Sequence, residues 1–294
     1  MSKLKLSNIK IKNSKTLTAN LTVATNNKKR VINNIIIKGY EKFPQSYLKH
    51  YLKIKPSQTF NLTNIKKKTT QLNDLKFANQ VKAPEVLFSK DSTSLYLYLE
   101  KAKSNSFDGF LGFGTNEATN KIEFDGYLDL KLINNLNFGE TLNLFYKSDE
   151  IDQQTIRVNA DLPYLFGSPI GLDIGLNLFR KDSTFLNANQ HAKLNYIVNA
   201  NHKIGIGISS TNSTHLLDND TAQLNDYSSN YYTINYNYTK PQYYDPLFPI
   251  NFWFQISSGF GNRTTNTGKQ TQRLFNLDTY KIFNLNNKNS IYTK

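Results

Sequence analysis

From Ser104 to its end, the chain alternates apolar and polar residues in runs longer than most strands of water-soluble proteins. In KIEFDGYLDLKL, residues 121–132, every second residue is apolar or glycine, and the residues between are charged or tyrosine. Successive side chains of a strand point to opposite faces of a sheet. Similar runs of about 9 to 12 residues recur without a helical period. The pattern predicts about ten strands up to Phe283 and an eleventh beginning at Ser290.

The links between these strands fall into two sets, because antiparallel strands place alternate links at opposite ends of a sheet. One set includes the long polar segment TNSTHLLDNDTAQLNDYS, and the other contains the proline-rich turns PYLFGSP and KPQYYDPLFP. Long loops at one end and short turns at the other are typical of outer-membrane barrels. The predicted links of the first set are 116–120, 148–153, 181–187, 211–228 and 261–269.

Alternation alone fits either a soluble sandwich or a membrane barrel. Soluble strands are mostly about 5 or 6 residues long, whereas a tilted strand that crosses a bilayer needs about 9 to 11. The polar face is expected to line a wet, charge-paired lumen with Glu123, Asp125, Asp129, Lys131, Arg157 and Asp161. Interfacial aromatic girdles are expected from Tyr127, Phe138, Tyr146, Phe166, Phe179, Phe185, Tyr196, Tyr231, Phe248 and Phe252. Strand length and these residues favour the transmembrane barrel.

The first third of the chain has a different pattern. Residues 1–30 predict a β-hairpin, which we interpret as the tail of a preceding module. Residues 31–103 predict the order strand, helix, helix, strand, strand, with Asn61 capping the second helix over about 62–75. This order is that of a small α+β module. We therefore divide the chain into a hairpin, an α+β module and a sheet domain over 104–294.

Composition excludes several classes of function. The formal net charge is +14, but the lysines are scattered and form no basic stripe, so no nucleic-acid partner is predicted. The chain has no cysteine, and its four histidines lack metal-ligand spacing. The run GFLGFG precedes no helix, and no G-x-S-x-G elbow is present. We predict no catalytic residue, no metal, no cofactor and no enzymatic activity.

In this order the modules resemble a known family. The segment beginning IIIKGYEKFPQSYLKHYLKIKPSQTFN and ending SLYLYLEK resembles a POTRA domain, and the following NSFDGFLGFG and KIEFDGYLDLKL are similar to the opening strands of BamA or TamA type outer-membrane assembly factors. The positions that carry the match are Gly39-Tyr40, Phe60-Asn61 and the FDGFLGFG run. The predicted fold is a POTRA-like module followed by an incomplete antiparallel transmembrane β-barrel.

The resemblance has three departures. Family barrels have about sixteen strands, an Arg-Gly loop motif and several preceding POTRA domains, whereas this chain has about eleven predicted strands, no Arg-Gly pair and one full module. An open sheet edge exposes backbone groups that hydrocarbon does not tolerate. We therefore expect the sequence to be a fragment of a longer protein.

The family resemblance implies a protein that assists the folding and insertion of other outer-membrane proteins. Its expected place is the cell outer membrane of Gram-negative type, with the module in the periplasm. Expected partners are unfolded outer-membrane proteins, the lipid bilayer and periplasmic or lipoprotein accessory subunits. A secretion pore for one partner protein and a soluble β-rich binding or adhesion module are the alternatives.

Two sheet edges are the predicted client-binding sites, because a free edge can pair with an added strand. The first is the opening barrel strand, which we call the seam, with Phe107, Gly109, Phe110, Leu111, Gly112, Phe113 and Gly114. Glycine weakens a strand, which suits a seam that opens, although glycines can also permit curvature or close approach of neighbours. The second is the module's strand edge at Val86, Leu87 and Phe88, for which a plain spacer role is the alternative.

Overall fold

The strands form three separate sheets in the computed structural model, which describes residues 2–25, 29–116, 121–148, 153–181, 185–215, 226–242, 245, 247–286 and 289–294. The strands are β1 Ser2–Asn13, β2 Thr16–Thr25, β3 Asn34–Lys38, β4 Ala78–Phe88, β5 Thr93–Lys101, β6 Ser106–Asn116, β7 Lys121–Ile133, β8 Thr141–Ser148, β9 Gln153–Leu162, β10 Ile170–Lys181, β11 Phe185–Ile197, β12 His202–His215, β13 Tyr227–Pro241, β14 Ile250–Thr265, β15 Gly268–Asn284 and β16 Ser290–Thr293. Helix α1 spans Leu62–Thr69. None of the helices in these ranges is long and apolar enough to cross a membrane.

Strands β1 and β2 form an isolated hairpin. The register shifts after Ser7, where Asn8 has a φ of +55°. This bulge adds one residue to β1, so the aliphatic side chains before and after it lie on one face. That face carries Leu4, Leu6, Ile9, Ile11, Leu17, Leu21 and Val23, all of them at least half exposed. The interpretation of this hairpin as the tail of a preceding module stays a prediction.

The α+β module has the predicted order of elements. Strand β5 lies between β3, to which it is parallel, and β4, to which it is antiparallel. One face of β5 carries Leu95, Leu97 and Leu99, which are fully buried. They pack against a core that includes Ile65 and Leu72. Burial of each leucine side chain stabilises the module by about 1.5 to 3 kcal/mol.

The two predicted helices are present, and neither is α-helical throughout. A π-helical turn covers Tyr47–Tyr51, and α1 continues as a 3₁₀ turn over Thr70–Asp74. Asn61 caps α1 as predicted, since its Oδ1 accepts a hydrogen bond from the Asn64 N–H at 2.9 Å. The helices together cover the face of the sheet that β5 presents to the core.

The large sheet has eleven antiparallel strands in the order β6 to β16, so the predicted strand count is confirmed. Within the described residues, β6 and β16 do not pair with each other, and the sheet is open. Its fold class is therefore that of an incomplete barrel, as predicted. We call the end with links 117–120, 149–152 and 182–184 the loop end, and the opposite end the turn end.

Two long loops predicted at the loop end are wrong in extent. Thr265 pairs with Gly268, so β14 and β15 meet in a tight hairpin instead of the predicted loop over 261–269. Strand β12 continues to His215 and β13 begins at Tyr227, which shortens the predicted link over 211–228. Residues 216–225 and the other predicted loops at 117–120, 149–152 and 182–184 lie outside the described residues.

The apolar face of the sheet forms a band that crosses the strands obliquely. In one row of paired residues, Leu128, Tyr146, Ile156 and Leu178 are apolar, but the same row continues with Asn212, Ser228 and Thr264. Six positions nearer the turn end, the apolar row includes Leu194, Ile206 and Ile234. Barrel strands tilt by about 35–45°, so a level apolar belt must change register from strand to strand. This shift is expected for a sheet that crosses a bilayer.

The polar face differs from the predicted charge-paired lumen. On this face His191 Nε2 lies 3.0 Å from Asp173 Oδ1, a contact that is an ion pair when the histidine is protonated. Arg157 lies 4.9 Å from the centroid of the Phe145 ring instead of pairing with an acid. Other polar side chains of this face form hydrogen bonds between amides and hydroxyls, for example Asn235 to Asn195 and Thr211 to Asn189.

The predicted aromatic girdle is partly wrong. Tyr127, Phe179, Phe185 and Tyr231 lie on the polar face, because they share its register with residues such as Asp108 and Asn187. At the turn end, the girdle on the apolar face consists of Tyr196, Tyr236, Tyr238, Phe252 and Phe254. The position of an aromatic residue near a strand end does not show on which face of the sheet it lies. The strand register does.

Candidate strand-pairing edges and their junction

Strand β6 lies at one edge of the large sheet and pairs with β7 alone among the described strands. Its other side presents backbone N–H and C=O groups that can pair with an added strand. The large side chains of this strand are exposed, with Phe113 82% and Phe107 67% accessible. The predicted seam residues therefore all lie on a free edge, and their role in client binding stays a prediction.

Gly109 is required by the backbone of the β6–β7 pair. Its φ is +152°, and a Cβ at this position would overlap the Tyr127 carbonyl oxygen of β7. Gly126, on the neighbouring strand, has a φ of +123° and faces the Phe110 carbonyl in the same manner. Only glycine adopts such angles without strain. Close approach of the two strands thus explains Gly109.

Gly112 and Gly114 have no such requirement. A Cβ at Gly112 would meet only the Asp125 carbonyl oxygen at 3.8 Å, and a Cβ at Gly114 would meet no described atom within 4 Å. Their backbone does not need glycine, and the missing side chains remove packing against β7. These two glycines are the part of the seam that suits weak pairing.

The second edge is β4, the outer strand of the small sheet. Val86 is partly buried and packs against the core, while Leu87 and Phe88 are 57% and 52% exposed. The Phe88 ring contacts Phe60 edge-on at 5.2 Å and lies 5.3 Å from the Arg30 guanidinium. These contacts hold the Phe88 end of the strand in a fixed position with apolar surface exposed.

The middle of β4 is protected against strand addition. Its register with β5 shifts on both sides of Lys82, and Pro84 has no N–H to donate. Lys82 pairs with Glu85 at 2.6 Å, and the Tyr98 hydroxyl donates to Glu85 at 2.6 Å. The hydrogen bond from Lys82 lowers the pKa of Glu85, which keeps this exposed carboxylate charged. The 86–88 part of the edge lies beyond this protected stretch.

A turn at the turn end joins the α+β module to the sheet. In the β7–β8 turn, the Asn134 side-chain oxygen accepts from the Gly139 N–H at 2.7 Å. Glu140 accepts from the Leu136 N–H at 2.6 Å and from the Phe138 N–H at 3.1 Å. These side chains shape the turn so that Gly139, at a φ of +81°, faces the module.

Tyr47 fills the space opposite this turn. Its hydroxyl donates to the Gly139 carbonyl at 3.3 Å, and its ring meets Tyr164 of the β9–β10 turn edge-on at 4.9 Å. Tyr40 accepts a hydrogen bond from the Asn134 side-chain amide at 2.5 Å. Burial raises the pKa of Tyr47 and of Tyr164 well above the usual tyrosine range. Both rings therefore stay neutral.

His50 adds a second contact to the β9–β10 turn. Its ring stacks on Tyr164 at 5.7 Å, and its Nε2 lies 2.8 Å from the Gly167 carbonyl oxygen. Ile133, Tyr164 and Ile197 of the sheet thus belong to the same buried cluster as the core of the module. We call these contacts the junction, defined by Tyr40, Tyr47, His50, Asn134, Gly139 and Tyr164.

Sequence reasoning missed the junction. Tyr47 has the spacing of a helix core residue, and Asn134 and Gly139 lie in a segment with ordinary turn composition. No sequence pattern therefore linked these segments, which are about 90 residues apart.

The described residues contain no group of three or more His, Asp or Glu side chains placed to hold a metal ion.

The comparisons with known proteins agree with this architecture. Residues 30–101 match the family model of POTRA, the surface antigen variable number repeat. CdiB from Acinetobacter baumannii is similar to 92% of the chain, with 15% identity and a TM-score of 0.53. CdiB from Escherichia coli is similar over 95% with 14% identity and a TM-score of 0.48. BamA from Haemophilus ducreyi lacking POTRA domains 1–3 is similar over 90% with 12% identity and a TM-score of 0.48. No curated protein sequence matches the chain.

The POTRA match and the similarity to the Acinetobacter CdiB define the class of fold. The chain covers 52% of the Acinetobacter CdiB, 54% of the Escherichia CdiB and 61% of the BamA structure, so it spans roughly half of each. It consists of a POTRA domain followed by an antiparallel sheet with the fold of part of a CdiB barrel. The resemblance predicted from the sequence is therefore confirmed at the level of the fold.

Proposed function

We propose that this chain forms part of an outer-membrane β-barrel protein that assists the folding and insertion of other outer-membrane proteins. The observation that carries the proposal is the edge position of β6, which pairs with β7 alone among the described strands and has glycines at 112 and 114 that its backbone does not require, in a sheet joined to a POTRA domain. The sheet lies in the outer membrane and the POTRA domain lies in the periplasm.

The apolar face supports a place in the membrane. Side chains such as Ile206, Ile234 and Phe275 are 60%, 63% and 66% exposed, and no second sheet covers them in the described structure. Large exposed apolar patches are rare on soluble monomers. Contact with lipid tails would remove this apolar surface from water. No polar side chain would lose its hydration, because the polar side chains lie on the other face.

Strand addition is the mechanism that the seam supports. A client strand entering the bilayer must satisfy each backbone N–H and C=O group, because an unpaired group costs several kcal/mol in hydrocarbon. The free side of β6 offers these partners in an extended conformation. Weak pairing around Gly112 and Gly114 lowers the cost of displacing β6 from any strand that occupies the edge.

Site-specific crosslinking tests the seam directly. In the intact protein, Leu111→Cys and Phe113→Cys should form disulfides with cysteines in a client strand, and the preferred client positions should shift by two residues between the two variants. The matched control is Ile206→Cys, which faces the same way but lies on an interior strand. Crosslinks to clients from the control but not from β6 would overturn the proposed site.

Filling the seam glycines should slow client transfer. Gly112→Val and Gly114→Val fit the available space, and each favours the strand by up to about 1 kcal/mol, or about fivefold in an equilibrium constant. We expect both variants to fold and to reduce client crosslinking severalfold. Gly109→Val is the contrasting variant, because its Cβ overlaps β7 and should impair folding of the barrel itself. Unchanged client transfer in the Gly112 and Gly114 variants would favour a purely structural role for these glycines.

The POTRA edge supplies a second, weaker proposal. We expect Leu87→Lys to reduce capture of unfolded clients severalfold, because it places a charge on the exposed apolar part of β4. Val81→Lys is the matched control, because it places the same charge on an exposed apolar residue of the same strand outside the 86–88 part. Photocrosslinking from position 88 in each background measures the effect. Equal capture in all variants would identify the domain as a spacer.

A secretion pore is the second candidate, favoured by the polar face. Its uncharged amides and hydroxyls, such as Asn189, Asn195 and Asn235, offer an extended chain weak and replaceable hydrogen bonds. The identity of the crosslinked chains separates the two candidates. Many different barrel proteins crosslinked to β6 support insertion, whereas one secreted chain crosslinked to the polar face supports a pore.

A further inference from the structure

The turn end of the apolar face carries a cluster of rings bounded by two lysines. His202, Tyr238 and Phe252 follow each other across β12, β13 and β14, with ring centroids 4.7 and 5.8 Å apart. Tyr236 and Phe254 extend the cluster toward the apolar band at 6.2 Å. We call these five rings, together with Lys240 and Lys281, the turn-end belt.

Lys240 and Lys281 lie in one row on either side of Phe252. Lys240 pairs with Phe252 across β13 and β14, and Phe252 pairs with Lys281 across β14 and β15. Two strand spacings separate the lysine backbones, about 10 Å. Lys281 Nζ is 5.8 Å from the Phe252 ring centroid and 5.9 Å from that of Phe283, and it donates one hydrogen bond to Asn251 at 2.5 Å.

The charge on the described part of this face is positive. By register, none of the described residues on the apolar face of β12 to β15 is acidic. A single hydrogen bond uses one of the three donors of Lys281. The row therefore presents two cations at the border of an apolar band, and the described residues of these four strands place no carboxylate on that face.

We infer that the turn-end belt binds the phosphate of an anionic phospholipid, with the phosphate between Lys240 and Lys281 and the acyl chains along Phe252, Phe254 and Tyr238. This inference rests on the proposed place of the sheet in a membrane. Aromatic rings favour the level of the headgroups, and lysines near strand ends extend to the interface. The belt is continuous with the apolar band. The rings therefore lie at the depth of the acyl chains of a lipid, and the lysines lie at the depth of its phosphate.

The Lys240–Phe252–Lys281 row suits a lipid rather than a peptide. Its backbone groups are already paired, since β13 and β15 flank β14 and leave no free edge there. A bound chain could contact only side chains, whereas a lipid needs only the two cations and an apolar wall. The charge selects an anionic headgroup over a zwitterionic one.

Lipid titration of the intact protein in detergent, followed by native mass spectrometry, tests the inference. We expect phosphatidylglycerol to be retained more strongly than phosphatidylcholine. Lys240→Gln or Lys281→Gln should weaken retention of phosphatidylglycerol roughly fivefold, and the double variant roughly 25-fold, from the usual effect of one basic residue near an anionic membrane surface. Retention of phosphatidylcholine should not change.

The control variant is Lys203→Gln, which removes the same charge from the polar face near the same end of the sheet. It should retain phosphatidylglycerol as the unmodified protein does. Equal loss in Lys203→Gln, or no loss in the double variant, would overturn the inference. Soluble glycerol phosphate in excess should not displace the lipid, and displacement would show a phosphate site that does not need the apolar wall.

A separate measurement distinguishes this failure from failure of the proposed function. Protease protection in vesicles of phosphatidylcholine alone reports whether the sheet inserts at all. Insertion without preference for phosphatidylglycerol would remove the lipid site and leave the membrane barrel in place. Failure to insert in vesicles of either composition would remove both.

Discussion

Ile234→Arg should block membrane assembly of the intact protein. Ile234 is 63% exposed in the middle of the apolar band, and its neighbours in the same row are Ile206 and Ser258. An arginine near the bilayer midplane costs about 2 to 4 kcal/mol on the lipid face of a barrel. Heat-modifiable migration on gels and protease protection in outer-membrane fractions measure assembly.

The control for this variant lies on the same strand. Thr233→Arg introduces the same side chain one residue earlier, on the polar face, where water is present. We expect its assembly to be nearly normal. If both variants assembled equally well or failed equally, the assignment of lipid and water to the two faces would be wrong.

Gly139→Ala should separate the POTRA domain from the sheet without unfolding either. A Cβ at Gly139 would overlap the Tyr47 ring, and the residue has a φ of +81°. Backbone strain of this kind costs about 1 to 3 kcal/mol, and overpacking costs about as much again. Hydrogen exchange should then become faster at the 134–140 turn and around Tyr47, with the core at Leu97 unchanged.

Gly167→Ala separates the strain from the clash. Gly167 also has a positive φ, +70°, but no described atom lies within 4 Å of a Cβ there. This variant should weaken the β9–β10 turn and the His50 contact to the Gly167 carbonyl, and it should leave the Tyr47 contact to Gly139 in place. Combining Gly139→Ala with Tyr47→Leu removes part of the overlap and should restore some protection. A similar effect of both alanine variants would show that the junction does not depend on Tyr47.

The strands were predictable because alternation has a period of two whatever the tertiary environment. Asn61 was recognised as a helix cap because the cap is a local hydrogen bond. Helix length was less certain. The pattern continued to Leu75, but tertiary packing tightened the last turn into a 3₁₀ segment.

Facts that depend on register were beyond the sequence. Tyr231 and Tyr232 are adjacent aromatic residues, yet one lies on the polar face and the other on the apolar face. Arg157 was expected to pair with an acid, but the ring of Phe145 on the neighbouring strand is closer. Such neighbours come from strand pairing, and a single sequence does not contain the pairing explicitly.

The seam glycines illustrate the same limit at the candidate site. The sequence placed Gly109, Gly112 and Gly114 in one weak strand and left two explanations open for all three. The backbone angle and the contacts of β7 separate Gly109 from the other two. Composition identified the strand, whereas geometry identified which glycines are free to vary.

The junction also has a mechanical consequence. The turn that contacts Tyr47 ends β7, and β7 is the strand that holds β6. Force applied to the POTRA domain would therefore reach β7, the strand beside β6, through the Tyr47 contact to Gly139. The same force would reach the β9–β10 turn through the His50 and Tyr164 contacts.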